Sequence, residues 1–244
     1  MRTFLTLLML CASQAFAQEF LVEEKFDIRP SWDRAIVYLP GKFLSTDVQA
    51  LESAGDRDAV IFLHGCTGIR NDEIGWAKFL NDLGYIVVLP NSLAIKGRPV
   101  NCSPGSYTTT SGAIDPRVLF KIRAFEFRQA HQNLRQLGSI KKIYLMGFSE
   151  GAATVHFYGG KDLFAGVISV SSHCRGPVNI QQDVPVLTID FESDPWFRTQ
   201  NLCMLKYKEH RYHTNLVLEG SGHEAARNTK AETAVKAFLS GAGN

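Results

Sequence analysis

Short apolar runs alternate with longer amphipathic stretches along most of this chain. Residues 59–63, 85–90, 143–146, 164–170 and 185–190 are nearly continuous in apolar side chains. That is the pattern of strands covered on both faces, and residues 214–218 add a last strand. Residues 71–83 read as a helix closed by Gly84 at its C-cap. Asp115-Pro116 opens another, a capping side chain followed by a residue with no donor to lose. In that helix Phe120, Ala124, Phe127, Ala130, Leu134 and Leu137 recur at threes and fours as one apolar stripe. Arg123, Arg128 and Arg135 fall outside the stripe and read as a solvated face. Residues 150–159, 196–208 and 224–240 suit further helices.

Strand and helix therefore alternate from residue 59 onward, which predicts an α/β fold with a mainly parallel sheet and helices on both faces. Ahead of it, residues 19–28 and 35–40 alternate as two strands, interrupted at Pro30-Ser31 and closed by Pro40-Gly41. Residues 42–58 are polar without a clear period. Residues 91–114 form a long loop rich in Gly, Pro, Ser, Thr and Asn, a length usually kept for function.

The first residues change the picture of where the protein works. Arg2 precedes an uncharged apolar run, and the run ends in Ala15-Phe16-Ala17. This is the layout of a secretory signal cut after Ala17, too short to span a bilayer. Leu10 before Cys11 is too bulky for a lipid-attachment site. The expected product is residues 18–244, one exported domain without stable membrane insertion. Of the formal net charge of +2, the signal holds one positive charge, so the product is nearly balanced. That balance gives no support for nucleic acid as a partner. Four cysteines remain in the product: Cys66, Cys102, Cys174 and Cys203. An even number in an exported chain implies two disulfides, with three connectivities open.

The candidate chemistry centres on Gly147-Phe148-Ser149-Glu150-Gly151. An apolar strand runs into this segment and small residues follow it, so it reads as strand, sharp turn and helix. Glycines on either side of Ser149 leave room for a strained turn with an exposed hydroxyl. The following helix aims backbone N–H groups, that of Glu150 included, at whatever binds there. Beyond the carboxyl ends of the other strands lie His64-Gly65-Cys66-Thr67-Gly68, the segment 185–195, and Gly220-Ser221-Gly222-His223.

On these motifs the chain resembles the α/β-hydrolases, and within them it is similar to the dienelactone hydrolase-like family. The resemblance spans residues 59–223 and uses the order Ser…Asp…His. It implies Ser149 as nucleophile, His223 as the base that takes and returns its proton, and Asp194 as the acid orienting that imidazole. Asp190 and Glu192 are the competing acids. Backbone N–H groups of Cys66 and Glu150 would hold the oxyanion. The same fold sets Cys66 and Cys102 after neighbouring strands, and Cys174 and Cys203 likewise, favouring Cys66–Cys102 and Cys174–Cys203. Asn101, Tyr107 and Trp196 are candidates for substrate contact.

Other histidines have weaker claims. His64 more naturally buttresses its own loop, and His173 precedes the acid segment, which breaks the chain order. His173 and Cys174 lack a second ligand pair, so no metal is expected; no cofactor is implied. Serine where many dienelactone hydrolases carry cysteine points to ordinary ester or acyl hydrolysis of a small-molecule substrate. Peptidase, acyltransferase and a binding protein that kept only the scaffold are the rival functions.

Overall fold

The computed structural model describes residues 25–100, 102, 116–158, 163–172, 174, 178–197 and 203–241. The proposed signal and residues 19–24 lie outside them, as do Asn101, Tyr107 and His173. Among these residues seven strands form one sheet: β1 (Ile36–Tyr38), β2 (Arg57–Leu63), β3 (Ile86–Leu89), β4 (Ile140–Phe148), β5 (Val167–Val170), β6 (Val186–Ser193) and β7 (His213–Ser221). Their spatial order is β1-β3-β2-β4-β5-β6-β7. Only the edge strand β1 runs antiparallel to its neighbour; the other five pairings are parallel. The order reverses beside β2 and β4, so the loops leaving those two strands face one crevice.

Alternation along the strands fills both faces. Ala59, Ile61 and Leu63 of β2 point into one core, shared with α3 (Pro116–Gln136) and α4 (Glu150–Tyr158). Val60 and Phe62 point into the other, with Trp76, Ala77 and Leu80 of α2 (Asn71–Asp82) and Ala231, Val235 and Leu239 of α6 (Thr229–Leu239). At 25 cal/mol per Å² this two-sided burial is the main force holding the sheet. Among the described residues no helix is long and apolar enough to cross a membrane.

Several expectations need correction. Residues 25–28 are not a strand, and the following α1 (Arg29–Asp33) is a short helix. Pro30 sits in its first turn, where a missing N–H costs nothing, so the proline starts a helix where it was expected to break a strand. Residues 48–53 wind into a 3₁₀ turn. The helix expected over 196–208 is reduced, among the described residues, to α5 (Cys203–Lys206). Residues 194–197 instead make a tight turn, in which Asp194 accepts the N–H of Trp196 on its side chain and that of Phe197 on its carbonyl. The last helix starts later than expected, at Thr229, because the Asn228 side chain accepts the N–H groups of Lys230 and Ala231. Arg123 is fully buried rather than solvated. A third apolar cluster, with Phe26, Ile95, Ile122 and Phe125, packs α3 on the side away from its main stripe.

Candidate active site

β4 ends at Phe148, and Ser149 turns the chain into α4 with φ +54°. A non-glycine residue held there stores about 1–3 kcal/mol of strain that its surroundings must offset. They do so by hydrogen bonds on both sides. The Ser149 N–H donates to Val170 at 2.9 Å, and its carbonyl accepts from Ala153 at 3.0 Å. Both glycines of the turn are sterically required. A Cβ on Gly147 would lie 2.5 Å from the Gly151 carbonyl carbon, and one on Gly151 would run into the Leu63 carbonyl. Ser149 is thereby fixed at the rim of a cavity of about 420 Å³.

The same cavity is lined by Gly65, Cys66, Thr67, Phe148, Trp196, Gly222, His223 and Glu224. So the structure brings Ser149, His223 and the Cys66 loop to one place, from the ends of β4, β7 and β2. The imidazole of His223 is held on several sides. Its Nδ1 lies 2.7 Å from Asp194 Oδ2, so that Nδ1–H donates to the carboxylate. Trp196 stacks on the ring at 5.4 Å between centroids, while Phe148 and Phe197 pack against it at 5.0 and 5.5 Å. The His223 carbonyl accepts from the Ser171 hydroxyl at 2.5 Å. Trp196, expected against substrate, thus lines the cavity and supports the imidazole at once.

The three competing acids separate cleanly. Asp190 lies within β6, and its Oδ1 accepts the Ser172 N–H at 3.0 Å. Glu192 accepts the Gly220 N–H at 3.0 Å on the exposed side. Only Asp194, one residue past the strand, has a carboxylate oxygen on His223 among the described residues. Downstream of the histidine, Asp72 of α2 accepts the Ala226 N–H at 2.8 Å and so pins the loop that carries it. Burial, chiefly, pushes the Asp72 carboxyl up to about 7.

The loop after β2 is braced by Glu73, whose two carboxylate oxygens each accept a backbone N–H at 2.9 Å, from Gly65 and Arg70. Cys66 in this loop is bridged to Cys102, with Cα atoms 5.5 Å apart. Cys174 and Cys203 form the second bridge at 5.0 Å. Both pairings are those implied by the resemblance. His156 lies against the second bridge, but its ring is already bonded to Tyr207 at 2.6 Å and Ser169 at 2.7 Å. With both sulfurs bridged, that cluster is a structural knot and not a cation site.

Beneath the Ser149 turn lies a set of charged residues that the sequence pattern did not reveal: Arg98, Arg123, Glu126 and Glu150, all buried. The single hint was Arg123 and Glu126, three apart, amid the apolar Ile122, Phe125 and Phe127.

Comparison with known proteins agrees with this architecture. A family model described as the α/β hydrolase fold matches residues 58–223. Spanning well over half of the chain, the match establishes that this protein belongs to the α/β-hydrolase family. Among solved structures, Est1E from Butyrivibrio proteoclasticus superposes with a TM-score of 0.59 at 12% identity, covering 85% of this chain and 93% of that one. A phospholipase/carboxylesterase from Dyadobacter fermentans gives 0.58 at 16% identity, covering 85% and 96%. XC6422 from Xanthomonas campestris, an α/β serine hydrolase without a lid, gives 0.56 at 15%, covering 84% and 87%. At these identities the likeness is one of fold. No curated protein matches the chain significantly in sequence.

Proposed function

We propose that this chain is an exported serine hydrolase that cleaves a small carboxylic ester through an acyl-enzyme on Ser149. The observation that carries the proposal is the Asp194–His223 pair, 2.7 Å apart, whose imidazole lines the same cavity as a serine held at a strained strand-to-helix turn. In the first half-reaction the Ser149 hydroxyl attacks the ester carbonyl and gives its proton to Nε2 of His223. The imidazolium is stabilised by the Asp194 carboxylate. The carbonyl oxygen becomes an oxyanion and settles against the N–H groups of Cys66 and Glu150. Collapse expels the alcohol, which leaves with the proton from His223. Water then repeats the sequence on the acyl-enzyme, releasing the acid and restoring the serine.

The cavity suits a modest substrate. Phe148 and Trp196 supply apolar walls, and Glu224 is the single charged side chain among the described residues lining it. An uncharged acyl group is the natural occupant. Export of the chain is supported by its N-terminal pattern and by the two disulfides, which persist in oxidising compartments.

Product analysis tests the proposal. Wild-type protein and Ser149→Ala are incubated with p-nitrophenyl esters, peptide amides and an ester offered with a competing alcohol. Ester hydrolysis by the wild type alone supports it. Preferential amide cleavage, or transfer to the alcohol in place of water, would reassign the reaction to a peptidase or an acyltransferase.

A further inference from the structure

None of the four buried charges lines the cavity, yet they touch the elements that carry its proposed oxyanion donors. The side chains of Arg98, Arg123, Glu126 and Glu150 are at most 1% exposed. Four such charges are tolerable in an apolar interior only when paired and hydrogen-bonded. Arg98 forms an ion pair with the Glu150 carboxylate. Arg123 lies 3.7 Å from Glu126, which in turn accepts from the Ser92 hydroxyl, and 4.0 Å from the Glu150 carboxylate.

Arg123 also reaches the other side of the site. Its Nη2 donates to the backbone carbonyl of His64 at 2.9 Å, and its Nη1 lies 3.1 Å from His64 Nε2. That same nitrogen accepts the Ser92 N–H at 3.0 Å, while Nδ1–H donates to the Gly65 carbonyl at 2.6 Å. The imidazole is thus neutral and fully used, and burial beside Arg123 holds its pKa well below the ordinary value. His64 buttresses its loop and takes no proton from substrate.

The consequence concerns the two oxyanion donors. Cys66 lies two residues beyond His64 at the end of β2, and Glu150 opens α4 at the end of β4. β2 and β4 pair only as far as Leu63 and Gly147, so Cys66 and Glu150 both lie beyond the last ladder partners and their N–H groups are not fixed by the sheet alone. Yet both N–H groups must arrive within hydrogen-bond distance of one oxygen, about 2.7–3.1 Å. A single planar fork from a third element, α3, touches the anchor of each. We propose, on the serine-hydrolase function put forward above, that Arg123 is a positioning residue whose guanidinium sets the spacing between the Cys66 and Glu150 N–H groups. Arg98 fastens Glu150 from the segment after β3, and Cys102 in that segment is bridged to Cys66. The segment therefore grips both halves of the same hole.

Lysine would keep the charge of Arg123 but not its fork, since an ammonium is a point donor on a flexible stem. The test compares wild type, Arg123→Lys and the charge-balanced Arg123→Met/Glu126→Gln, each checked for folding by circular dichroism. Two quantities are read: p-nitrophenyl butyrate kinetics, and inhibition by an arylboronic acid, whose tetrahedral adduct on a serine hydroxyl places an oxygen in the hole. Folded variants should keep KM within about threefold while kcat falls about 10–100-fold. Boronate affinity should fall in parallel. Folded variants with kcat and boronate affinity near wild type overturn the proposal. Failure of both variants to fold also overturns it, because it assigns Arg123 to stability alone. An inert wild type that ignores the boronate would instead remove the underlying serine-hydrolase function.

Discussion

Asp194 divides its two carboxylate oxygens between His223 Nδ1, at 2.7 Å, and the backbone N–H of Trp196, at 2.8 Å. The second bond holds the carboxylate still while the first orients the imidazole on which Trp196 is stacked. Replacing the carboxylate by an amide should leave the turn in place but offer the ring a donor where it needs an acceptor. Asp194→Asn is therefore expected to lower kcat on a p-nitrophenyl ester by about 10³–10⁴-fold with little change in melting temperature. Glu192→Gln, two residues away and turned toward Gly220, should stay within a few-fold of wild type. Equal losses at both positions would mean the acid has been assigned wrongly.

The pair was legible in the sequence only in part. Ser149 and His223 stood out because turn glycines and strand ends are local signals. The choice among Asp190, Glu192 and Asp194 depended on where β6 stops, and that is set by its pairing with β7 as far as Ser193 and Ser221. The burial of Arg123 escapes the sequence for a related reason. An apolar stripe tells which side of a helix faces the sheet but says nothing of a second partner, here the cluster around Phe26, Ile95 and Phe125. Nor does the sequence announce that Arg98 and Glu150, fifty-two residues apart, share one buried contact. Charged residues are read as exposed by default, and these are exceptions because each meets its counter-charge only in the folded chain.

Gly147 and Gly151 provide a steric prediction. Alanine at Gly151 would place its methyl group against the Leu63 carbonyl, and backbone cannot yield as a side-chain tip can. Gly151→Ala should destabilise the fold by about 3 kcal/mol and abolish activity, as read by denaturant unfolding and ester turnover. A stable, active alanine variant would show that the turn is looser than described.

The two disulfides should differ in what they protect. Cys174–Cys203 is buried beside His156 and Tyr207, and neither cysteine lines the cavity. Its removal as Cys174→Ser/Cys203→Ser is expected to cost about 2–4 kcal/mol of stability. The surviving folded protein should turn over near the wild-type rate. Cys66→Ser/Cys102→Ser should lose similar stability and also lower kcat, because the freed loop carries the Cys66 N–H proposed to hold the oxyanion. Matching kinetics in the two folded variants would contradict the distinction.

Asp72 links pH to stability. Its carboxyl titrates about 3.8 in the unfolded chain and about 7 in the fold. The folded state therefore holds the proton more tightly. Its contribution is fully present below about pH 4 and is lost as pH rises to about 7, on the order of 4 kcal/mol on full ionisation. His64 and His213, both lowered by burial and His213 to about 4, act in the opposite sense and lose stability as pH falls. The Asp72 effect is thus best read as a difference. The stability of Asp72→Asn relative to wild type should rise from pH 4 to pH 7 and then level off, in thermal melts across that range. A pH-independent offset would rule the linkage out.

The central claim concerns the hydroxyl of Ser149, and intact-mass analysis after a fluorophosphonate probe addresses it most directly. One adduct per chain is expected, mapped to the peptide containing Gly147 to Gly151, with none on Ser149→Ala and much slower labelling of His223→Ala. A folded wild-type protein that remains unlabelled, or an adduct at another serine, would contradict the account.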